Sequence, residues 1–313
     1  MSRAFVFPGQ GSQAVGMGKV LAEASPVARE VFEEVDDALS QKLSKLMFEG
    51  PEDELTLTEN AQPALMAVSM ALIRVLEKDG GIVIADKADF VAGHSLGEYS
   101  ALAAAGAFGV ADAARLLKTR GKAMQEAVPV GEGAMAALLG LDIDKVAEIA
   151  REAAGDEVCD IANDNSDGQV VVSGSRAAVE RAVALAGEAG ARRSVLLPVS
   201  APFLCALMAP AADVMQAALA ETSITPPNPR LIANVTADEV TDPDEIRALL
   251  FKQVTGMVRW RESVLAMKAK GVDTLIEGGS GKVLTGLFRR IDRELTGVSV
   301  QGPDDIETLL ATL

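Results

Sequence analysis

A short motif, Gly93-His94-Ser95-Leu96-Gly97, limits the possible folds of this chain more than any other feature. Residues 89–92, Asp followed by the apolar residues Phe, Val and Ala, predict a short buried strand, and the Ala-rich residues 98–107 predict a helix. A serine with glycine two positions away on each side can occupy a strained turn between strand and helix, which exposes its hydroxyl. The motif also occurs in ordinary loops, but these flanks favour an α/β fold with Ser95 as a nucleophile. The backbone N–H of Leu96 would then face a developing oxyanion.

The general base that such a serine needs is missing from the sequence. Histidine is the commonest base in this role, and His94 is the only histidine of the chain. Adjacent side chains of an extended strand point to opposite faces, so His94 is badly placed to accept the Ser95 proton. We expect His94 to line the pocket or to satisfy a buried hydrogen bond. The residues alone therefore indicate an acyl-transfer nucleophile without an evident base.

A cation interrupts the apolar face of the helix predicted at 112–126. Arg120 lies on the same face as the apolar residues Ala113, Leu116, Leu117 and Met124. One interpretation is an arginine at the edge of the face whose guanidinium reaches solvent. The other is a buried arginine, which would need a partner because arginine is seldom buried unpaired.

The order of the remaining elements predicts two structural units. Residues 128–199 follow the order strand–helix–strand–strand–helix–strand, which is the split βαβ pattern of a ferredoxin-like subdomain. Residues 1–127 and 200–313 read as strand–turn–helix units of a larger α/β domain. The predicted fold is therefore an α/β-hydrolase-like large domain with an inserted ferredoxin-like small subdomain.

Composition excludes several classes of function. The chain has 29 Lys and Arg against 45 Asp and Glu, and a net charge of −16 argues against a nucleic-acid surface and against docking on an anionic membrane. Cys159 and Cys205 are far apart in the sequence, and one histidine cannot build a multi-histidine site, so we expect no metal and no cofactor.

The longest uncharged run, 194–212, is broken by three prolines and does not predict a membrane span. We expect a cytoplasmic protein.

Several further motifs follow one another in a specific order. They are Phe7-Pro-Gly-Gln-Gly-Ser-Gln13, Gln62-Pro-Ala, 93–98, Arg120-Gly-x-x-Met-Gln125, Asn165-Ser-x-Gly-Gln169, Leu197-Pro-Val-Ser-Ala-Pro-Phe203, Gln253 and Gly281-Lys-Val-Leu-Thr-Gly286. On these motifs the chain resembles the malonyl-CoA:acyl-carrier-protein transacylase family from end to end. Several motifs in one order are far more specific than any single motif.

The resemblance implies a ping-pong acyl transfer in fatty acid or polyketide biosynthesis. Ser95 would attack the thioester of malonyl-CoA and form a malonyl-serine ester. The phosphopantetheine thiol of acyl carrier protein would then take the malonyl group. The implied partners are malonyl-CoA and acyl carrier protein, and we expect a monomer.

The resemblance also implies roles for individual residues. Gln10 and Leu96 would supply backbone N–H groups to the oxyanion, and Arg120 would pair with the free malonyl carboxylate. Phe203 would exclude a 2-methyl branch, and the backbone carbonyl near Gln253 would normally orient the base histidine. The implied substrate-binding set is Arg120, Gln253, His94, Phe203, Asn165 and Gln62.

The sequence departs from the family at the base itself. The family motif ends Ala-Pro-Phe-His, and here Leu204 stands at the last position, where it can neither accept nor donate a proton. Loss of one member of such a catalytic unit costs roughly 10⁴- to 10⁶-fold in turnover. The chain would then be either a variant disabled to trap a complex or a natural paralogue that binds without turnover, and the otherwise intact site favours the first.

Two other functions compete with slow acyl transfer. One is a non-catalytic module that binds CoA or acyl carrier protein, which the missing base allows. The other is a lipase or esterase of the α/β-hydrolase type, which requires a histidine after the serine and so disagrees with the sequence.

A carrier protein would need a local docking surface. The carrier is expected to be acidic in this family, and a net charge of −16 would repel it, so docking requires a basic patch. The candidate residues are Lys282, Arg289, Arg290, Arg192 and Arg193. The alternative is ordinary solvated surface charge.

Overall fold

Two β-sheets organise the chain, and its computed structural model describes residues 1–313. The strands are β1 (Arg3–Phe7), β2 (Phe90–Gly93), β3 (Gly133–Leu139), β4 (Cys159–Ser166), β5 (Gln169–Ser175), β6 (Arg193–Leu196), β7 (Arg230–Ile232), β8 (Glu239–Val240), β9 (Thr274–Gly278) and β10 (Thr296–Val300). The helices are α1 (Lys19–Ala24), α2 (Pro26–Leu39), α3 (Leu43–Glu49), α4 (Glu52–Thr56), α5 (Thr58–Lys78), α6 (Ile84–Lys87), α7 (Gly97–Ala104), α8 (Val110–Glu126), α9 (Ile143–Ala154), α10 (Arg176–Glu188), α11 (Ala209–Ala220), α12 (Pro243–Gln253), α13 (Trp260–Ala269), α14 (Val283–Ile291) and α15 (Pro303–Leu310), with a 3₁₀ turn at Ala206–Met208.

The larger sheet has the strand order β10-β9-β1-β2-β7-β8. The first five strands are parallel, and β8 pairs with β7 in the antiparallel direction. β1 lies at the centre and β2 beside it, and the apolar residues of both are buried, as expected where helices cover both faces of a parallel sheet. The carboxyl ends of β1, β2, β7 and β9 meet at one edge, where ligands bind in α/β folds.

The smaller sheet confirms the predicted ferredoxin-like topology. Its order is β4-β5-β3-β6 and all its pairs are antiparallel. Its strands and the helices α9 and α10 enclose a separate hydrophobic cluster of 15 buried residues, apart from the main cluster of 82. The fold is thus a mixed α/β structure with a small subdomain between two segments of the larger one. The subdomain limits at 128 and 199 stay a prediction.

Local chemistry explains where the elements differ from the sequence prediction. The sequence of residues 18–39 predicts one continuous helix, and the structure divides it into α1 and α2 at Ser25. Ser25 is extended, and its hydroxyl accepts from the Ala28 N–H to cap α2. Residues 230–235 predict a strand, and in the structure this strand ends at Ile232. The edge strand β10 is largely exposed and escaped the sequence pattern. None of the helices combines the length and apolar character needed to cross a bilayer.

Candidate active site

The turn after β2 has the strained geometry that the motif predicted. Ser95 has φ of +54°, in the left-handed region that a serine rarely occupies. A Cβ at Gly93 would lie 1.9 Å from the carbonyl carbon of Gly97, and a Cβ at Gly97 would lie 2.3 Å from the carbonyl oxygen of Phe7. The two glycines are therefore required by close packing of the backbone, and they allow the turn to hold Ser95 between β2 and α7.

A buried asparagine, Asn234, forms hydrogen bonds to the main chain of this turn at Ser95 and at Gly93. Its Oδ1 accepts the backbone N–H of Ser95 at 2.8 Å, and its Nδ2 donates to the carbonyl oxygen of Gly93 at 2.7 Å. Sequence reasoning missed Asn234. Its position just beyond the carboxyl end of β7, beside β2, is the signal that could have identified it.

The guanidinium of Arg120 lies against the serine hydroxyl. Nη2 donates to Ser95 Oγ at 3.0 Å and to Gln253 Oε1 at 3.1 Å, and Nη1 donates to Gln62 Oε1 at 2.8 Å. Arg120 is only 1% exposed, so the interpretation of a solvent-reaching arginine is wrong. The hydrogen bonds all go to uncharged oxygens, no acidic side chain forms an ion pair with it, and Nε is buried without a partner. The site thus holds a buried cation with spare donors.

The close packing of α8 on α5 positions Arg120 beside Ser95. A Cβ at Gly121 would lie 2.5 Å from the carbonyl oxygen of Thr58, so only glycine allows the two helices to approach this closely. Gln62 lies on α5 and is 1% exposed. Gln253 ends α12 and is fully buried. Both predicted substrate-binding glutamines are therefore held against Arg120.

Two ionisable residues of α7 lie beneath the turn, and sequence reasoning assigned neither a role. Burial raises the pKa of the Glu98 carboxyl to about 8, opposed by its hydrogen bond from Gln253 and by the charge of Arg120. Burial also raises the pKa of the Tyr99 phenol to about 12. The Tyr99 ring centroid is 5.6 Å from the guanidinium carbon of Arg120. An acid in a fully buried Ala-rich helix was the available signal for Glu98.

His94 makes a partly buried hydrogen bond with Asn165, one of the two roles that the sequence predicts for it. Its Nε2 lies 2.8 Å from Asn165 Oδ1, and its ring centroid lies 5.7 Å from that of Trp260. Burial lowers the pKa of His94, which favours a neutral ring. The structure thus brings His94 and Asn165 together as a pair, and Ser95 Oγ has Arg120 as its only hydrogen-bond partner within the chain.

The two residues predicted to supply oxyanion donors lie outside the helices and strands. The backbone N–H groups of Gln10 and Leu96 donate to no other group of the chain. The Gln10 side chain donates to Thr58 Oγ1 at 3.3 Å, which fixes the loop after β1 against α5. The backbone N–H of Ser95 is already engaged by Asn234.

Phe203 and Leu204 are buried in the loop between β6 and α11. Leu204 has φ of +58°, a conformation in which a bulky apolar residue is a genuine outlier. Neighbouring contacts fix the loop, because the Cys205 thiol lies 3.2 Å from the Pro202 carbonyl oxygen and the Ala206 N–H donates to Asp160 Oδ2 at 2.8 Å. Leu204 packs within the main hydrophobic cluster.

The basic docking candidates lie on or beside α14 and β6. Gln169, Leu139 and Arg193 are aligned across β5, β3 and β6, and Nη1 of Arg290 on α14 donates to Gln169 Oε1 at 3.2 Å. Arg290 and Arg193 therefore lie at the same end of the small sheet. Lys282, Arg289, Arg192 and Arg193 are exposed.

Comparisons with known proteins show which family the chain belongs to. Residues 4–294 match the family model of the acyl transferase domain. The malonyl CoA-acyl carrier protein transacylase of Bacillus subtilis strain 168 is 46% identical over 311 residues, covering 99% of this chain and 96% of that protein. The crystal structure of an acyl-carrier-protein-S-malonyltransferase from Bartonella henselae has a TM-score of 0.97 at 59% identity and covers 100% of this chain and 99% of that one.

A further solved structure is that of a malonyl-transacylase in complex with its type II PKS acyl-carrier protein. It has a TM-score of 0.96 at 42% identity, with 100% of both chains covered. The class that fold and site define is an acyl transferase with a serine at a strand-to-helix turn. Within that class, the chain belongs to the malonyl CoA-acyl carrier protein transacylase family.

Proposed function

We propose that this chain transfers a malonyl group from malonyl-CoA to the phosphopantetheine thiol of acyl carrier protein, in fatty acid or polyketide biosynthesis. The single observation that carries the proposal is the buried guanidinium of Arg120, which has no acidic partner and lies 3.0 Å from Ser95 Oγ. A buried cation with spare donors favours an anionic ligand, because an unpaired buried charge is costly.

The distance between Arg120 and Ser95 favours a short diacid. In a malonyl ester of Ser95, the carboxylate carbon is three bonds from Oγ, so the carboxylate can reach a guanidinium that already touches that oxygen. Planar carboxylates bind a guanidinium through two parallel hydrogen bonds. An acetyl group offers no such pairing. Phe203 is proposed to exclude a 2-methyl branch.

The proposed chemistry has two half-reactions. Ser95 Oγ attacks the thioester carbonyl, the C–S bond breaks, and the CoA thiol leaves with the serine proton. The thiol of the carrier protein then attacks the malonyl ester and regenerates the serine. The free backbone N–H groups of Gln10 and Leu96 are suited to stabilise both tetrahedral oxyanions, since neither is used elsewhere in the chain.

Leu204 is proposed to occupy the position of the general base. A left-handed backbone is several-fold more common for histidine than for most other residues, so φ of +58° suits the family's histidine better than leucine. Without a base, turnover would fall by roughly 10⁴- to 10⁶-fold. A non-catalytic protein that binds CoA or acyl carrier protein is the second candidate function, and the same leucine favours it.

An acidic carrier protein is proposed to dock on the exposed cations beside the small sheet. Arg290 and Arg193 lie at one end of that sheet, with Arg289 and Lys282 on or beside the same helix as Arg290. A local positive patch would offset the repulsion from a net charge of −16.

Mass spectrometry of the intact chain tests the proposed function. Incubation with malonyl-CoA should slowly add one malonyl group, and a Ser95→Ala variant should add none. Leu204→His should raise malonyl transfer to carrier protein by orders of magnitude, while Leu204→Met, a matched apolar control, should not. A chain that never acylates, even with histidine at 204, favours the binding protein. A parent that already turns over briskly contradicts the role assigned to Leu204.

A further inference from the structure

We propose that Glu98 is a positioning residue that, through the side chain of Gln253, holds Arg120 in place for the substrate carboxylate. This inference rests on the proposed malonyl transfer and extends it to a residue that the acyl-transfer chemistry itself does not use. Glu98 is 2% exposed and lies in the first turn of α7, directly after the elbow.

The starting observation is a buried carboxyl group with no cation in contact. The side-chain hydrogen bond that Glu98 makes comes from Gln253 Nε2 to its Oε2. Arg120 and Tyr99 are the ionisable groups that influence it, and neither forms an ion pair with it. Burying a carboxyl group is costly. An uncharged or apolar residue would fill the same space at lower cost, so the carboxyl group requires an explanation.

The side-chain amide of Gln253 supplies that explanation, because its NH₂ group faces hydrogen-bond acceptors and its oxygen faces a donor. Its Nε2 donates to Glu98 and to the carbonyl oxygen of Ser95 at 3.0 Å, and it lies 3.3 Å from Asn234 Oδ1. Its Oε1 accepts from Arg120 Nη2 at 3.1 Å. A guanidinium has only donors, so an amide turned by 180° would present NH₂ to Arg120 and leave both groups unpaired.

Glu98 therefore reinforces the direction of the amide, together with the Ser95 carbonyl oxygen on the same side. Its Oε2 is the carboxyl acceptor on the Nε2 side, beside the Ser95 carbonyl oxygen and Asn234 Oδ1. With that oxygen present, Gln253 Oε1 is directed at the guanidinium. Together with Gln62 on the opposite nitrogen, it leaves Arg120 one fixed orientation beside Ser95 Oγ.

Substitutions that separate hydrogen bonding from packing can test this chain of contacts. Glu98→Met keeps the volume and removes the acceptor, whereas Glu98→Gln keeps the shape and an acceptor oxygen. The measured quantity is the Kd for acetyl-CoA divided by the Kd for malonyl-CoA, obtained by isothermal titration of the full chain. The slow turnover proposed for this chain allows such equilibrium measurements.

The expected result is a fall of the Kd ratio by about tenfold in Glu98→Met, the effect of a lost buried hydrogen bond that positions Arg120. Glu98→Gln should stay within about threefold of the parent, since it retains the acceptor. Glu277 is the matched control, because it is another buried carboxyl group, bound to the start of α14 and not to Arg120. Glu277→Met should keep the parent ratio.

Three outcomes overturn the inference: a folded Glu98→Met chain with the parent ratio, a Glu98→Gln chain as unselective as Glu98→Met, or an equal fall in Glu277→Met. If Glu98→Met does not fold, Gln253→Met removes the amide that links Glu98 to Arg120, and it must lower the Kd ratio. A Glu98→Gln chain that loses selectivity would still overturn the inference. A parent that binds both esters equally contradicts the proposed function itself. A selective parent with an unaffected Glu98→Met contradicts only the role of Glu98.

Discussion

Asn234 bonds to the main chain on both sides of Ser95, accepting the Ser95 N–H at 2.8 Å and donating to the Gly93 carbonyl oxygen at 2.7 Å. The two bonds bridge the carboxyl end of β7 to the turn after β2. They hold a serine backbone in the left-handed region, where such strain persists only if the surroundings fix it. Asn234 also takes the Ser95 N–H out of the set of oxyanion donors.

The first prediction concerns this bridge. Asn234→Asp keeps an acceptor for the Ser95 N–H but replaces the donor to Gly93 with an oxygen facing a carbonyl oxygen. We expect a loss of about 1–3 kcal/mol in the free energy of unfolding, the cost of an unsatisfied buried group. Acylation of Ser95 by malonyl-CoA should slow by at least tenfold, because the turn relaxes. Urea unfolding and intact-mass time courses measure the two effects, and an unchanged acylation rate would refute the bridge's role.

The second prediction concerns Arg120. Arg120→Ala should abolish the preference for malonyl-CoA over acetyl-CoA in acylation of Ser95, because the malonyl carboxylate loses its cation. Arg115, exposed on the same helix, is the matched control, and Arg115→Ala should leave the preference intact. Competition between the two esters, followed by the masses of the acylated chains, gives the ratio. Equal discrimination by the parent and Arg120→Ala would exclude the assigned role.

The sequence predicted the elements that obey local rules. The elbow follows from glycine spacing, and the ferredoxin-like subdomain follows from the order of its elements, because α9 and β3–β6 carry strong periodic patterns. Arg120 was detectable as a charge on an apolar face. The sequence could not decide between a solvated and a buried guanidinium, since that depends on the approach of α8 to α5 at Gly121.

The contacts that escaped prediction are long-range: Asn234 was missed altogether, and Gln253 was assigned by resemblance without its contact to the Ser95 main chain. Asn234 and Gln253 reach Ser95 across 139 and 158 residues of sequence. Such pairs arise only when parallel strands and helices are assembled, so no local pattern reports them. The left-handed backbone of Leu204 was also invisible, because leucine gives no signal for that conformation.

The third prediction concerns the carrier protein. Malonyl transfer to an acidic carrier should fall steeply as salt rises, because exposed charges are screened over about 10 Å at 0.1 M. Replacing Arg289 and Arg290 by glutamine should weaken transfer at low salt and flatten that dependence. The same change at Lys145 and Arg151, cations on α9, is the control and should keep the parent's salt curve. Identical curves for all three proteins would remove Arg289 and Arg290 from the docking surface.

The last prediction uses the pH dependence of stability. The folded chain raises the pKa of Glu98 from 4.5 to about 8, so between these values the native state holds a proton that the unfolded state has released. The contribution of Glu98 is therefore fully present below pH 4.5 and is lost as the pH rises to 8, by about 1.4 kcal/mol per pH unit. The Glu98→Gln side chain cannot titrate. The free energy of unfolding of this variant minus that of the parent should therefore increase steadily from pH 5 to pH 8. Urea unfolding of both proteins at unit pH intervals measures the difference, and parallel curves would show that Glu98 is not a buried acid titrating near pH 8.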